Sequence, residues 1–156
     1  MKNLYKALAS FQQEVPVILK ETSGHNYKYV DLPGIDVVIK PLLKKHGISY
    51  IQPLSNIEGK PAIKTVLFHI ESGESTEETH PMPEMILKKI ATKKTEKKTG
   101  DITESEKYVV AGMEQMSLPQ ANGSMITYYR RYCLGSALGL ITDKDNDAGG
   151  ISSDLF

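Results

Sequence analysis

The stretch IKTVLFHIESGESTEETH, residues 63 to 80, decides the fold. Its first half alternates. Val66, Phe68 and Ile70 fall on one side, and Thr65, Leu67 and His69 on the other, which is the period of a strand with two unlike faces. Ser72-Gly73 is a tight-turn signal. ESTEETH (74–80) then returns as a polar strand of the kind found at sheet edges. Upstream, ISYIQPL (48–54) is short and rich in strand formers, and NIEG (56–59) is a turn. Strands joined by short turns predict an antiparallel meander of three or more strands.

Helical spacing surrounds this block. Residues 3 to 15 carry Leu4, Leu8, Phe11 and Val15 on one stripe, and Pro16 is expected to kink or restart that helix through Val17, Ile18 and Leu19. ETSGHN (21–26) has turn chemistry. YKYVDLPGIDVVIKPLLKKHG (27–47) begins extended and becomes a helix from about Pro33. Ile35, Val38, Leu42 and Leu43 point inward and Gly47 closes it. Residues 82 to 107 turn from apolar to lysine-rich, which predicts a loop or frayed helix inserted at about 88–107. YVVAGMEQMSLP (108–119) fits strand or helix equally. The fold class is therefore α+β, an antiparallel sheet with helices on one face. One domain spans 1–142, and 143–156 forms an acidic tail.

Composition sets bounds. In 156 residues, 19 Lys and Arg balance 19 Asp and Glu, so net charge names no partner, but the distribution is uneven. Lys88 to Lys98 holds six lysines and one acid, whereas Asp143 to the end holds four aspartates and one lysine. The single cysteine, Cys133, excludes an intrachain disulfide and reads as a small buried residue. The N-terminus lacks the apolar core of a signal peptide, and no apolar run is long enough to span a membrane, so a cytoplasmic protein is expected.

GSMITYYRRYCLGSALGL (123–140) reads as a helix with two arginines in its middle. On a wheel of about 100° per residue, Ile126, Cys133, Ala137, Leu140 and Ile141 make the core side. Arg130 falls in that sector beside Leu134, so it is expected to be substantially buried and to need a carboxylate or carbonyl partner. Arg131 falls with Tyr128, Tyr132, Gly135 and Gly139. Glycines one turn apart leave a shallow channel for either a packed backbone or a ligand. An arginine among tyrosines suits phosphate and base stacking, and close subunit packing through the same face is the other reading. Ser124 is the expected N-cap, at a helix start that would either be plainly capped or hold a phosphate.

These residues resemble the essential recombination function (ERF) family of phage single-strand annealing proteins. The likeness rests on Gln120, Gly123-Ser124, Ile126-Thr127-Tyr128, Arg130-Arg131-Tyr132, Leu134, Gly139 and the acids Asp143, Asp145 and Asp147. An upstream block, Tyr27-Lys28-Tyr29, Pro41-Leu42 and Gly47-Ile48, extends it. Tyr129 departs from the small residue expected there, and the lysine-rich stretch resembles an insertion. The resemblance implies single-stranded DNA binding and ATP-independent annealing. It further implies a β-sheet-plus-helix core like that of the eukaryotic annealing mediators, and assembly into rings.

Such a surface must hold a strand by its phosphates and leave base edges free, so cations supply salt-dependent affinity and aromatics supply stacking. The expected DNA-binding set is Arg130, Arg131, Tyr128, Tyr132 and Ser124 on the helix, with Tyr27, Lys28 and Tyr29 as a second aromatic–basic cluster. Tyr27 and Tyr29 could equally be partly buried in the core. Lys88, Lys89, Lys93 and Lys94 are either a further DNA contact or a solvated run. The expected partners are single-stranded DNA, further copies of the chain in a homo-oligomer, and a phage exonuclease or host single-strand-binding protein.

Catalysis is not expected. His25, His46, His69 and His80 have no metal-ligand spacing, Cys133 has no activating base, and no phosphate loop or cofactor motif is present. Asp143, Asp145 and Asp147 resemble the start of a calcium loop. However, Ala148 stands at the glycine position and Asp154 at the place of the final glutamate. Asp154-Leu155-Phe156 offers a second reading of the tail, as a docking end that mimics phosphates. The enzyme alternative is a metal-dependent nuclease using the aspartates with Glu71 or Glu74.

Overall fold

The computed structural model describes residues 1–19, 22–23, 28–95 and 102–142. Along the chain run α1 (Lys2–Glu14), β1 (Thr22–Ser23), β2 (Lys28–Tyr29), α2 (Leu32–Lys45), β3 (Ile48–Ile51), β4 (Leu54–Ile57), β5 (Lys60–His69), β6 (Ser75–Pro81), β7 (Leu87–Thr95), β8 (Ile102–Val110) and α3 (Leu118–Leu138). The protein is α+β, and β5 is the centre of the sheet. It pairs antiparallel with β3 and β4 along one edge and with β6 along the other. Pairing of Ile51 with Val66 and of Leu54 with Ile63 keeps one register across the gap between β3 and β4. The two are one strand interrupted at Gln52-Pro53, where proline has no N–H for the ladder. The predicted meander is present.

The meander's odd face is the buried one. Ile63, Thr65 and Leu67 are buried, while Ile70 is 60 % exposed. The three helices cover that face. Phe11 from α1, Ile35, Ile39 and Leu43 from α2, and Leu134 and Leu138 from α3 form one apolar core with Ile48 and Leu67. On α2 the buried stripe is Ile35, Ile39 and Leu43, with the predicted Val38 and Leu42 only half-buried at its flank. Asp31 caps α2 by accepting the Gly34 N–H at 2.8 Å. Gly34 fits because a Cβ there would meet that carboxylate at 2.9 Å.

Three expectations are corrected. Val17–Leu19 does not restart a helix. It runs extended, with the Ile18 N–H donating to the Ile141 carbonyl at 3.0 Å and Ile18 bridging Thr142 in parallel. A strand partner after α3 satisfies that backbone better than one isolated turn would. Where it is described, the lysine-rich stretch is strand and not loop or helix. β7 and β8 pair over nine positions, from Leu87 with Val110 to Thr95 with Ile102, as a two-stranded ribbon. Finally, the helix expected to start at Ser124 starts at Leu118. Ser117 and Gln120 form a capping box, with Ser117 Oγ accepting the Gln120 N–H and Gln120 Oε1 accepting the Ser117 N–H. Ser117-Leu118-Pro119-Gln120 is the sequence signal for this start, and Asn122-Gly123 masks it.

Candidate nucleic-acid interface

α3 is a helix of 21 residues, about 31 Å at 1.5 Å per residue. Its C-terminal half rests on the core through Leu134 and Leu138. Ala121 is buried near the other end, and the turns between expose Gly123, Ser124, Thr127, Tyr128 and Tyr132. The wheel's core side is therefore only partly correct. Ile141 lies past the helix and is 68 % exposed, and Cys133 is half-buried, not buried.

The exposed turns gather aromatics around Arg131. Its guanidinium carbon lies 5.3 Å from the Tyr128 ring centre and 5.0 Å from that of Tyr132, and the two rings are 4.5 Å apart. Tyr129 meets Tyr128 edge-on at 5.5 Å and stacks on His80 of β6 at 5.8 Å. Tyr128 is 47 % and Tyr132 54 % exposed, so a flat ligand has access to ring surface. The neighbouring Tyr132 hydroxyl, with partial burial, pushes the Tyr128 phenol up to about 12, so it remains a neutral donor.

A groove of about 600 Å³ runs along this part of α3, between Gly123, Ser124, Thr127, Tyr128 and Arg131 and the α2 start at Asp31–Pro33. α2 follows directly from β2, so the groove joins the arginine cluster to the segment that carries Lys28 and Tyr29. Only the backbone of those two residues is described, and Tyr27 lies outside the described residues. Asp31 already caps α2, and among the described residues that line this groove Arg131 is the cation. Ser124 lines it from mid-helix, where its hydroxyl lies 3.7 Å from Met116 Sδ. It is therefore not a cap.

Arg130 has a different setting. Its carbonyl accepts Gln52 Nε2 at 2.9 Å, and the same amide donates to Thr65 Oγ1 at 3.1 Å, tying α3 to the break in the sheet. Among the described residues no carboxylate lies within 4.0 Å of its guanidinium, and its buried Nε has no hydrogen-bond partner. The expected core ion pair is absent there. Asp36 is engaged by Lys40 at 2.6 Å and by the Tyr50 hydroxyl at 2.5 Å. Burial first, and then that carboxylate, hold the Tyr50 phenol above its ordinary range.

The Gly135/Gly139 channel is not formed as expected. Gly139 is the left-handed C-cap, at φ 65°, and a Cβ there would meet Gln12 Nε2 at 2.9 Å, whereas among the described residues nothing lies within 4 Å of where a Gly135 Cβ would stand. A second groove, of about 420 Å³, lies between α3 and β6 and is lined by Tyr129, Tyr132, Cys133, Glu78 and His80. Burial and the charge of Glu78 raise the Cys133 thiol above its ordinary value. A third, of about 400 Å³, lies between α3 and the ribbon's root at Met85, Ile86, Val110 and Met113.

The register divides the hairpin lysines. Lys89 stands on one face with Glu106, bonded to it at 2.5 Å, and position 93 is paired with Glu104 on that same face. Lys88, position 94 and Lys107 share the other. Lys107 escaped the sequence reading because its signal is period-two alternation, invisible while the stretch reads as a loop.

No group of three or more His, Cys, Asp or Glu side chains that could hold a metal occurs among the described residues, and the calcium-like aspartates lie outside them. Glu74 is engaged at the start of α1, by the Met1 ammonium at 3.0 Å and the Leu4 N–H at 2.7 Å. No described helix is long and apolar enough to cross a membrane.

The fold and this helix face define a class: an α+β domain that lays a helix with a half-buried arginine between exposed tyrosines across an antiparallel meander. Within that class the chain belongs to the ERF superfamily, whose family model matches residues 4–154, nearly its whole length. Membership points to a role in phage recombination and strand annealing. No curated protein and no solved structure matches the chain.

Proposed function

We propose that the protein binds single-stranded DNA and anneals complementary strands without ATP, as a recombination protein and not an enzyme. The observation that carries this reading is the Arg131 guanidinium set against Tyr128 and Tyr132 in an open groove. A planar cation holds phosphate while exposed rings stack bases of any sequence. Tyr27, Lys28 and Tyr29, just before α2 in the chain, are the second aromatic–basic cluster assigned to the same strand, with Arg130 next to Arg131 on α3. A chain of copies in a homo-oligomeric ring lines such grooves end to end into one track. A phage exonuclease that generates single strands, or the host's single-strand-binding protein, is the natural neighbour in the cytoplasm of the host cell.

The test is annealing of two complementary dye-labelled oligonucleotides without ATP, at low and moderate salt, with wild type and Arg131→Ala compared. Fast annealing by wild type, lost in a variant that stays folded and oligomeric, supports the assignment. Absence of single-strand binding by wild type at low salt overturns it. A second reading, an oligomeric interaction module without annealing, draws on the exposed Ile86, Leu87 and Tyr108 at the ribbon's root. It predicts weak DNA binding that is indifferent to Arg131.

A further inference from the structure

The β7–β8 ribbon has two chemically different faces, and the register alone sorts them. On one, Leu87, Lys89, Ala91 and position 93 face Val110, Tyr108, Glu106 and Glu104. There position 93 is in register with Glu104, and Lys89, opposite Tyr108, reaches diagonally to Glu106 at 2.5 Å. On the other, Lys88, Ile90, Thr92 and position 94 face Val109, Lys107, Ser105 and Thr103. That face has three lysine positions and no acidic position. Lys88 and Lys107 are exposed. Between the lysines, the Thr92 and Ser105 hydroxyls lie 2.8 Å apart across the strands. Glu114, whose carboxylate accepts the Gly112 N–H at 3.0 Å, feels the charge of Lys88 without pairing with it.

We infer that the ribbon binds a nucleic-acid backbone through one face only, the Lys88/Lys107/position-94 face, as a strip separate from the α3 groove. This rests on the DNA-binding reading above and adds Lys107 to it. Three arguments carry it. Uncompensated cations separated by hydroxyls attract a polyanion, whereas lysines already matched to glutamates release no counterion on meeting one. Positions 88 and 94 are six residues apart, roughly 20 Å at 3.3 Å per residue, a span of several phosphates. Neither Lys88 nor Lys107 lines the groove that Val110 shares with Met125, Tyr128 and Tyr129 of α3, so the strip and that groove have no lysine in common.

The experiment is fluorescence anisotropy of a dye-labelled oligothymidine over a salt series. Wild type is compared with Lys88→Gln/Lys107→Gln, the arginine pair Lys88→Arg/Lys107→Arg, and Lys89→Gln. Each single-strand phosphate contact contributes about 0.7 to the slope of log K against log salt. The glutamine pair is expected to flatten the slope by about 1.4 and to weaken binding on the order of tenfold at low salt. The arginine pair should keep the slope, and Lys89→Gln should match wild type. Equal slopes for all four proteins overturn the strip and leave the groove reading standing. Equal losses in the glutamine pair and Lys89→Gln overturn its one-sidedness. Failure of wild type to bind the oligonucleotide removes the DNA-binding reading itself, a result distinct from the other two.

Discussion

Arg130 and Arg131 are adjacent in the chain, and the fold gives them different surroundings. Arg130 looks toward Tyr50 and the sheet break, while Arg131 emerges between two tyrosines. The wheel separated them correctly, because one residue of helix turns the side chain by about 100°. It misjudged Cys133 and Ile141, because a wheel assumes that a helix rests on the core along its whole length. α3 does so through Leu134 and Leu138 and leaves its middle turns open. If Tyr128 stacks on bases, Tyr128→Ala should cost about 1–3 kcal/mol of single-strand affinity, roughly 5- to 150-fold. Tyr128→Phe should stay within about twofold of wild type. With its phenol held up at about 12, that near-equality should persist from about pH 6 to pH 10, where both side chains are uncharged. Anisotropy titrations at three pH values check this. A Phe variant as weak as Ala would instead assign the role to the hydroxyl.

At the scale of elements, legibility follows burial. α1, α2 and the meander were readable because each has one dry face that imposes a period, 3.6 or 2. The β7–β8 ribbon was not, because its burial is confined to the root, at Val109 and Val110, and the rest of its described length shows no apolar alternation. Only its β-branched residues, such as Thr92, Ile90 and Val109, hinted at strand. The β4–β5 turn exposes a local compromise. Its two residues, Glu58 and Gly59, have φ of 52° and 81°, the doubly left-handed geometry of a two-residue hairpin. Gly59 suits it, but Glu58 carries a Cβ and lacks the short polar side chain that makes asparagine tolerant there. Glu58→Asn should therefore stabilise the protein by about 0.5–1 kcal/mol without touching either groove. Urea unfolding reads this as a higher midpoint at unchanged slope, with single-strand affinity unaltered. A lower midpoint would mean that the glutamate has a use its exposed position does not reveal.

Across the whole molecule, the sheet and the first helix are held together by contacts that no periodicity announces. Glu74, in the β5–β6 turn, reaches 70 positions back to accept the Leu4 N–H and also binds the Met1 ammonium. A helix start leaves N–H groups without partners, and a distant carboxylate satisfies them here in place of a local cap. That pairing is long-range, so sequence patterns could identify the turn and the helix but not their junction. It also makes stability depend on acid. The Leu4 N–H, acting against a smaller cost of burial and helped by the Met1 ammonium, holds the Glu74 carboxyl below its ordinary 4.5. A carboxyl whose folded-state pKa is depressed adds stability that is fully present above the unfolded value and is lost as pH falls through the folded one. The gap in urea midpoint between wild type and Glu74→Gln should thus be constant well above the ordinary carboxyl value of 4.5, narrow as pH falls below it, and close once pH has passed below the depressed folded-state value. The protection of the Leu4 amide against exchange, relative to its intrinsic rate at each pH, should fall over the same window, because protonation removes the acceptor that protects it. A gap that persists unchanged below the folded-state value would show that the glutamate's shape, not its charge, anchors α1.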